Sequence, residues 1–221
     1  MKMFLSWPPN RWSFRLAIDV LTCGEATLRR VYRLDLGPLV LVREEFATWN
    51  PMAEAAMRLL AEKGVAWSPG WARLRVRYSH AWPHVEALEA LKARAPIVEV
   101  GAGTGYWAWM LRNGGVTVFA SDIRPPRRAW THIDVLDAAQ AAAQHPEATL
   151  FLCWPPPADS MALRALTAYH GRRVVVAGDY KNIADAQFFT ALARDWVEER
   201  EPERLSLMRF YKRGAPEPRL R

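Results

Sequence analysis

The stretch from Ala95 to Gly105, Ala-Pro-Ile-Val-Glu-Val-Gly-Ala-Gly-Thr-Gly, constrains this chain more than any other. Pro96 followed by the β-branched run Ile97-Val98-Glu99-Val100 reads as a buried strand, and three alternate glycines then make a tight turn. A helix opens at Tyr106-Trp107-Ala108-Trp109-Met110-Leu111. Glycine accepts positive φ and lets the backbone approach a ligand that a Cβ would exclude, while the helix behind it offers free N–H groups and the positive end of its dipole. A nucleotide-like cofactor suits such a turn. The dinucleotide pattern G-x-G-x-x-G needs a small residue where Tyr106 stands, which disfavours a dinucleotide oxidoreductase.

A second strand, Val116-Thr117-Val118-Phe119-Ala120-Ser121-Asp122, follows the helix and ends in an acid 21 positions after Gly101. A carboxylate there faces the same crevice as the glycine turn and can accept hydrogen bonds from two ribose hydroxyls.

Val98-Glu99-Val100-Gly101-Ala102-Gly103-Thr104-Gly105 resembles the first motif of the class I S-adenosylmethionine-dependent methyltransferases. The resemblance covers residues ~80 to 213. It implies an α/β, Rossmann-like seven-stranded methyltransferase fold, a mostly parallel sheet with an antiparallel edge, here preceded by a small α+β appendage. It implies S-adenosylmethionine as cofactor and an enzyme that transfers its methyl group. Glu99 would help hold the methionine end, with Gly101, Ala102, Gly103, Gly105 and Tyr106 around the turn. Asp122 and Ile123 would flank the ribose, Asp134 would accept from the adenine amino group, the Val135 N–H would meet the ring, and Cys153 would complete the cofactor set.

Leu150-Phe151-Leu152-Cys153-Trp154-Pro155-Pro156-Pro157 is the other landmark. An apolar strand ending in three prolines, which fix φ and remove N–H donors, makes a rigid loop where open α/β sheets bind ligands. It resembles the proline-proline loop of amino-group methyltransferases, in which Asp, Asn or Ser precedes the prolines; here Trp154 does. Tyr78, Trp82, Trp154, Pro155 and Pro156 are the expected acceptor-binding residues. No general base is named: Asp179, ending the fifth strand, is better suited to capping a turn.

With 221 residues, 51% hydrophobic and 24% charged, the composition is that of a globular protein, and no apolar run approaches the ~18 residues of a membrane span. The opening residues have too short an apolar core for a secretory signal, so the expected location is cytoplasmic. Cys23 and Cys153 lack metal-ligand spacing, and His80 and His84 are separated by Pro83, so no metal is expected. The net charge of +7 favours a polyanionic partner, with nucleic acid as the acceptor slightly favoured. Residues 1 to 95 hold most of the excess, 14 Lys or Arg against 9 Asp or Glu. A catalytically inactive protein of the same fold that binds nucleic acid through this basic region is the alternative.

The expected division is an appendage over 1–78, a cofactor domain over 79–213 and a flexible tail over 214–221. The appendage reads as extended segments to about residue 45, then a helix capped by Asn50-Pro51. Ala72-Arg73-Leu74-Arg75-Val76-Arg77-Tyr78 alternates strictly and predicts a strand with three arginines on one face. Beyond it, the pattern predicts helices over Val85–Ala93, Val135–Gln144, Ser160–His170 and Ala184–Asp195. Strands are expected over Thr131–Leu136, Arg172–Asp179, Val197–Glu201 and Leu205–Tyr211. The arginines and prolines of Arg124-Pro125-Pro126-Arg127-Arg128 exclude an ordinary helix between the second and third strands.

Overall fold

A computed structural model of the protein describes residues 50–52, 55, 69–81, 83–199 and 207–214. The expected amino-terminal strands, most of the helix after Pro51, Trp82 and nearly all of the tail lie outside them. The chain forms two compact units, Met1–Tyr78 and Ser79–Arg221.

In the first unit, the Asn50 side chain accepts a hydrogen bond from the Met52 N–H at 3.1 Å, the N-cap that Asn50-Pro51 predicts. The alternating arginine segment is not a strand: Pro69–Arg77 is a helix, α1. Leu74 and Tyr78 are four residues apart and both buried, whereas Val76 is 75% exposed, so burial follows helical spacing and not alternation. Arginine is also a good helix former and proline suits a first helical position.

The second unit runs α2 (Val85–Lys92), β1 (Ile97–Val100), α3 (Tyr106–Asn113), β2 (Val118–Asp122), β3 (Asp134–Val135), α4 (Ala138–Gln144), β4 (Thr149–Cys153), α5 (Met161–Ala168), β5 (Arg173–Ala177), α6 (Ala186–Asp195), β6 (Trp196–Glu199) and β7 (Met208–Arg213). These strands form one seven-stranded sheet in the order β3-β2-β1-β4-β5-β7-β6. The first five are parallel, and β7 pairs antiparallel with both β5 and β6. All four residues of β1 are buried, as a central parallel strand covered on both faces requires.

Val98 and Val100 belong to the core beneath α4, α5 and α6, where Ala141, Ala142, Ala162 and Ala165 let helices and sheet approach closely. Alternation therefore turns Glu99 toward the opposite face, where Trp107 of α3 packs edge-on against Phe151 of β4 at 5.3 Å. This orientation places a carboxyl group under an apolar layer.

Two expected boundaries move. β3 spans two residues instead of six, because the Arg112 guanidinium takes the Thr131 hydroxyl and the His132 carbonyl, both at 2.8 Å. Helix α4 begins at Ala138, not Val135, because Asp137 and Gln140 form a reciprocal capping box. No helix stands between β2 and β3, as the proline-arginine segment predicts.

Candidate functional site

The crevice at the carboxyl ends of β1, β2, β3 and β4 gathers the residues singled out in the sequence. β1 leads into Gly101, Gly103 and Gly105, with φ of +73°, +54° and +72°. Left-handed backbone at alternate positions is what the three glycines supply. A Cβ at Gly101 would meet the Met161 Cε at 2.8 Å, and one at Gly105 the Ile133 Cδ1 at 2.9 Å, so packing also requires these two. Nothing lies within 4 Å of the Cβ position at Gly103, which is the bare face of the turn.

The turn is tied to β2. The Ala102 N–H donates to the Ser121 carbonyl at 2.9 Å, and the Gly105 N–H donates to the Ala102 carbonyl at 2.8 Å. The Asp122 carboxylate accepts at both oxygens, from the Gly103 N–H to Oδ2 and from the Arg124 N–H to Oδ1, each at 2.8 Å. Each oxygen keeps a further lone pair for a ligand hydroxyl.

Beside Asp122, Ile123 is 61% exposed, and Val135, ending the next strand, is 69% exposed. Two aliphatic side chains left to solvent at adjacent strand ends suit a flat apolar ring. Asp134 is exposed and pairs with His132 Nε2 at 2.9 Å, and it does not cap α4.

Glu99 lies beneath the turn and is 1% exposed. Its Oε2 has no hydrogen-bond partner among the described residues. Burial raises its pKa from 4.5 to about 8, with the Ala108 N–H and the Arg112 guanidinium pulling the other way and the Asp122 charge reinforcing the rise. The carboxyl group is thus largely protonated at neutral pH, yet poised to ionise beside a cation.

Cys153 ends β4 with its thiol 3.8 Å from the Ser79 hydroxyl, which accepts from Trp107 Nε1 at 3.0 Å. Burial, reinforced by Glu99, pushes the thiol up to about 12, so it is protonated and not a nucleophile. The Tyr106 side chain is buried in an aromatic cluster, stacked on Trp109 at 5.7 Å and edge-on to Trp130 at 5.0 Å.

Past β4 the backbone is strained. Trp154, Ala158 and Ala184 have φ of 52°, 57° and 50°, values that side-chain-bearing residues seldom adopt. The loop is held by hydrogen bonds from the Trp154 N–H to the Ala177 carbonyl at 2.7 Å and from the Ala184 N–H to the Pro155 carbonyl at 3.0 Å. Trp154 stacks on His80 at 6.4 Å, Pro155 is buried and Pro156 is exposed. Tyr78 belongs to the other unit and is buried there. Asp179 accepts from the Lys181 N–H at 3.1 Å and from the Asn182 amide at 2.6 Å, a turn-capping role.

Sequence reasoning missed Arg112, whose donations to Val118, Thr131 and His132 fasten the helixless crossover beside the crevice. An arginine one turn from a helix end gives no periodic signal. It also missed the strain at Trp154. Among the described residues there is no cluster of three or more His, Cys, Asp or Glu able to hold a metal ion, and no helix long and apolar enough to cross a membrane.

No family model matches the sequence, and no curated protein matches it. Eight solved chains match in structure. One is the crystal structure of magnesium protoporphyrin IX methyltransferase (ChlM) from Synechocystis PCC 6803 with bound SAM, at 13% sequence identity and a TM-score of 0.42, over 79% of this chain and 96% of that one. The strand order, with β7 inserted antiparallel between β5 and β6, makes the second unit an α/β, Rossmann-like domain with a mostly parallel seven-stranded sheet and an antiparallel edge.

Proposed function

We propose that the protein is an S-adenosylmethionine-dependent methyltransferase. The observation that carries this reading is the bare glycine turn with open space over Gly103, flanked by the Asp122 carboxylate and underlain by the unpartnered Oε2 of Glu99. A ligand that is a nucleoside at one end and a cation at the other fits that donor set: ribose hydroxyls at Asp122, a base between Ile123 and Val135, and positive charge toward Glu99.

When bound, S-adenosylmethionine supplies an electrophilic methyl group on a sulfonium. The residues of this chain then have positioning and exclusion as their task, since methyl transfer needs in-line approach and a site shielded from water. The Gly101–Gly105 turn and Asp122 fix the cofactor end. The strained Trp154-Pro155-Pro156 loop, braced on Ala177 and Ala184, forms the acceptor wall. A loop already held in an unfavourable backbone geometry does not need to be ordered when the acceptor arrives. The protonated Cys153 takes no part as a nucleophile. The net charge of +7 favours nucleic acid as acceptor.

Isothermal titration of the full chain with S-adenosylmethionine and with its demethylated product tests the reading. Saturable binding of both, lost in Gly103→Arg, is the expected result; indifference to both overturns it.

A further inference from the structure

At the opposite end of the sheet, where β4 and β5 begin and β6 and β7 end, a second concavity of about 650 Å³ opens. Its wall carries Arg94, Arg172, Arg173, Lys212 and Arg213, with Glu147 and Glu199 as the only carboxylates among the described lining residues. That volume is in the range of small-molecule sites.

The charges divide into two sets. Arg213 donates to the Gly171 carbonyl at 3.0 Å and the Tyr169 carbonyl at 2.7 Å and lies over the Trp196 ring, so it is committed to the fold. Arg94 donates to the Ala90 carbonyl, covers the Phe210 ring and pairs with Glu199 at 3.8 Å. Glu147 pairs with His145 at 3.3 Å. Both carboxylates are therefore already engaged. Arg172, Arg173 and Lys212 are exposed, and among the described residues none of the three meets a carboxylate.

Arg173 and Lys212 are also direct partners across the antiparallel β5–β7 pair. Residues opposed in this way share a face with Cβ atoms close together, and like charges there repel. A cross-strand cation pair on the wall of a concavity whose two carboxylates are already engaged repels itself, and an anion seated between the two charges would relieve that repulsion.

We propose that this concavity is a binding site for a phosphate group, held by the cross-strand pair Arg173 and Lys212. Guanidinium forks present paired N–H donors to phosphate oxygens, and an ammonium adds a compact charge. The phosphate could belong to a free metabolite or to a nucleic-acid backbone. The site lies at the end of the strands remote from the glycine turn, and it stands independently of the cofactor assignment.

The test is titration of the full chain at low salt with pyrophosphate and, separately, with an oligothymidylate of about twelve nucleotides. The expected result is saturable binding of at least one probe, weakened about tenfold or more in Arg173→Gln/Lys212→Gln. Pyrophosphate binding identifies a free phosphate ligand, and oligonucleotide binding alone identifies a nucleic-acid backbone. The melting temperature of the double variant without ligand should equal or exceed that of the wild type, since a repulsion has been removed, which separates lost binding from lost folding. Absence of binding of either probe up to about 5 mM, or binding that the double variant leaves unchanged, overturns the proposal.

Discussion

The Oδ2 of Asp122 accepts a 2.8 Å hydrogen bond from the backbone N–H of Gly103, joining the end of the second strand to the bare face of the turn that follows the first. One carboxylate thus shapes the turn and, in the proposed function, would also accept from the ribose hydroxyls. Asp122→Ala removes the acceptor for Gly103 and Arg124 together. The expected outcome is a stability loss of about 1–2 kcal/mol, because charge-assisted bonds at an exposed site are partly replaced by water. Loss of S-adenosylmethionine affinity should be larger, about tenfold or more, on calorimetric titration.

Gly103 and Gly105 separate folding from binding. Alanine at either must adopt a left-handed backbone, costing about 1–2 kcal/mol. At Gly105 the new methyl also meets Ile133 at 2.9 Å, whereas at Gly103 it projects into open space. Gly105→Ala should therefore have the lower melting temperature of the two. Gly103→Ala should stay folded and lose cofactor binding.

Glu99 should make stability pH-dependent. Its pKa is about 8 in the folded protein and 4.5 as the ordinary value, so between these the folded state holds the extra proton. The contribution of the neutral, buried carboxyl is fully present below 4.5 and is lost as pH rises through about 8, at up to roughly 1.4 kcal/mol per pH unit. Denaturant unfolding at about pH 6 and about pH 9 should show this loss in the wild type and not in Glu99→Gln. Equal losses in both would mean that Glu99 is already ionised in the folded chain.

The same residue couples the proposed cofactor to protons. A cation beside Oε2 favours the ionised carboxylate, so S-adenosylmethionine binding near neutral pH should release a proton. Calorimetry in two buffers of different ionisation enthalpy should give different apparent enthalpies for the wild type and the same one for Glu99→Gln.

Arg112, half-buried near the end of α3, should matter to stability. Its guanidinium donates to the Val118 carbonyl at 2.6 Å, the Thr131 hydroxyl and the His132 carbonyl at 2.8 Å each, and so fastens the helixless β2–β3 crossover. Arg112→Ala should cost about 2–3 kcal/mol, since carbonyls paired to a charged donor lose their partner. Limited proteolysis should then cut within residues 123–133 faster than in the wild type.

The sequence alone determined the glycine turn, its flanking strand and helix, and Asp122, because each depends on local chemistry: positive φ, β-branched burial, a carboxylate at a strand end. It also determined that no helix could follow β2, since prolines forbid one locally. Tertiary structure alone decided the rest. Alternation in Arg73-Leu74-Arg75-Val76-Arg77 fits a strand, but a helix needs only Leu74 and Tyr78 on its buried side, and which residues find an apolar neighbour is settled by packing. The shortness of β3 follows from an arginine some twenty residues away in the chain. The protonation of Glu99 follows from which face of the sheet the α3 layer covers. The like-charged pair Arg173 and Lys212 exists only because β7 folds back beside β5. A residue's conformational leaning is written in its own side chain, whereas its dielectric surroundings and its opposing charges are supplied by segments distant in the chain.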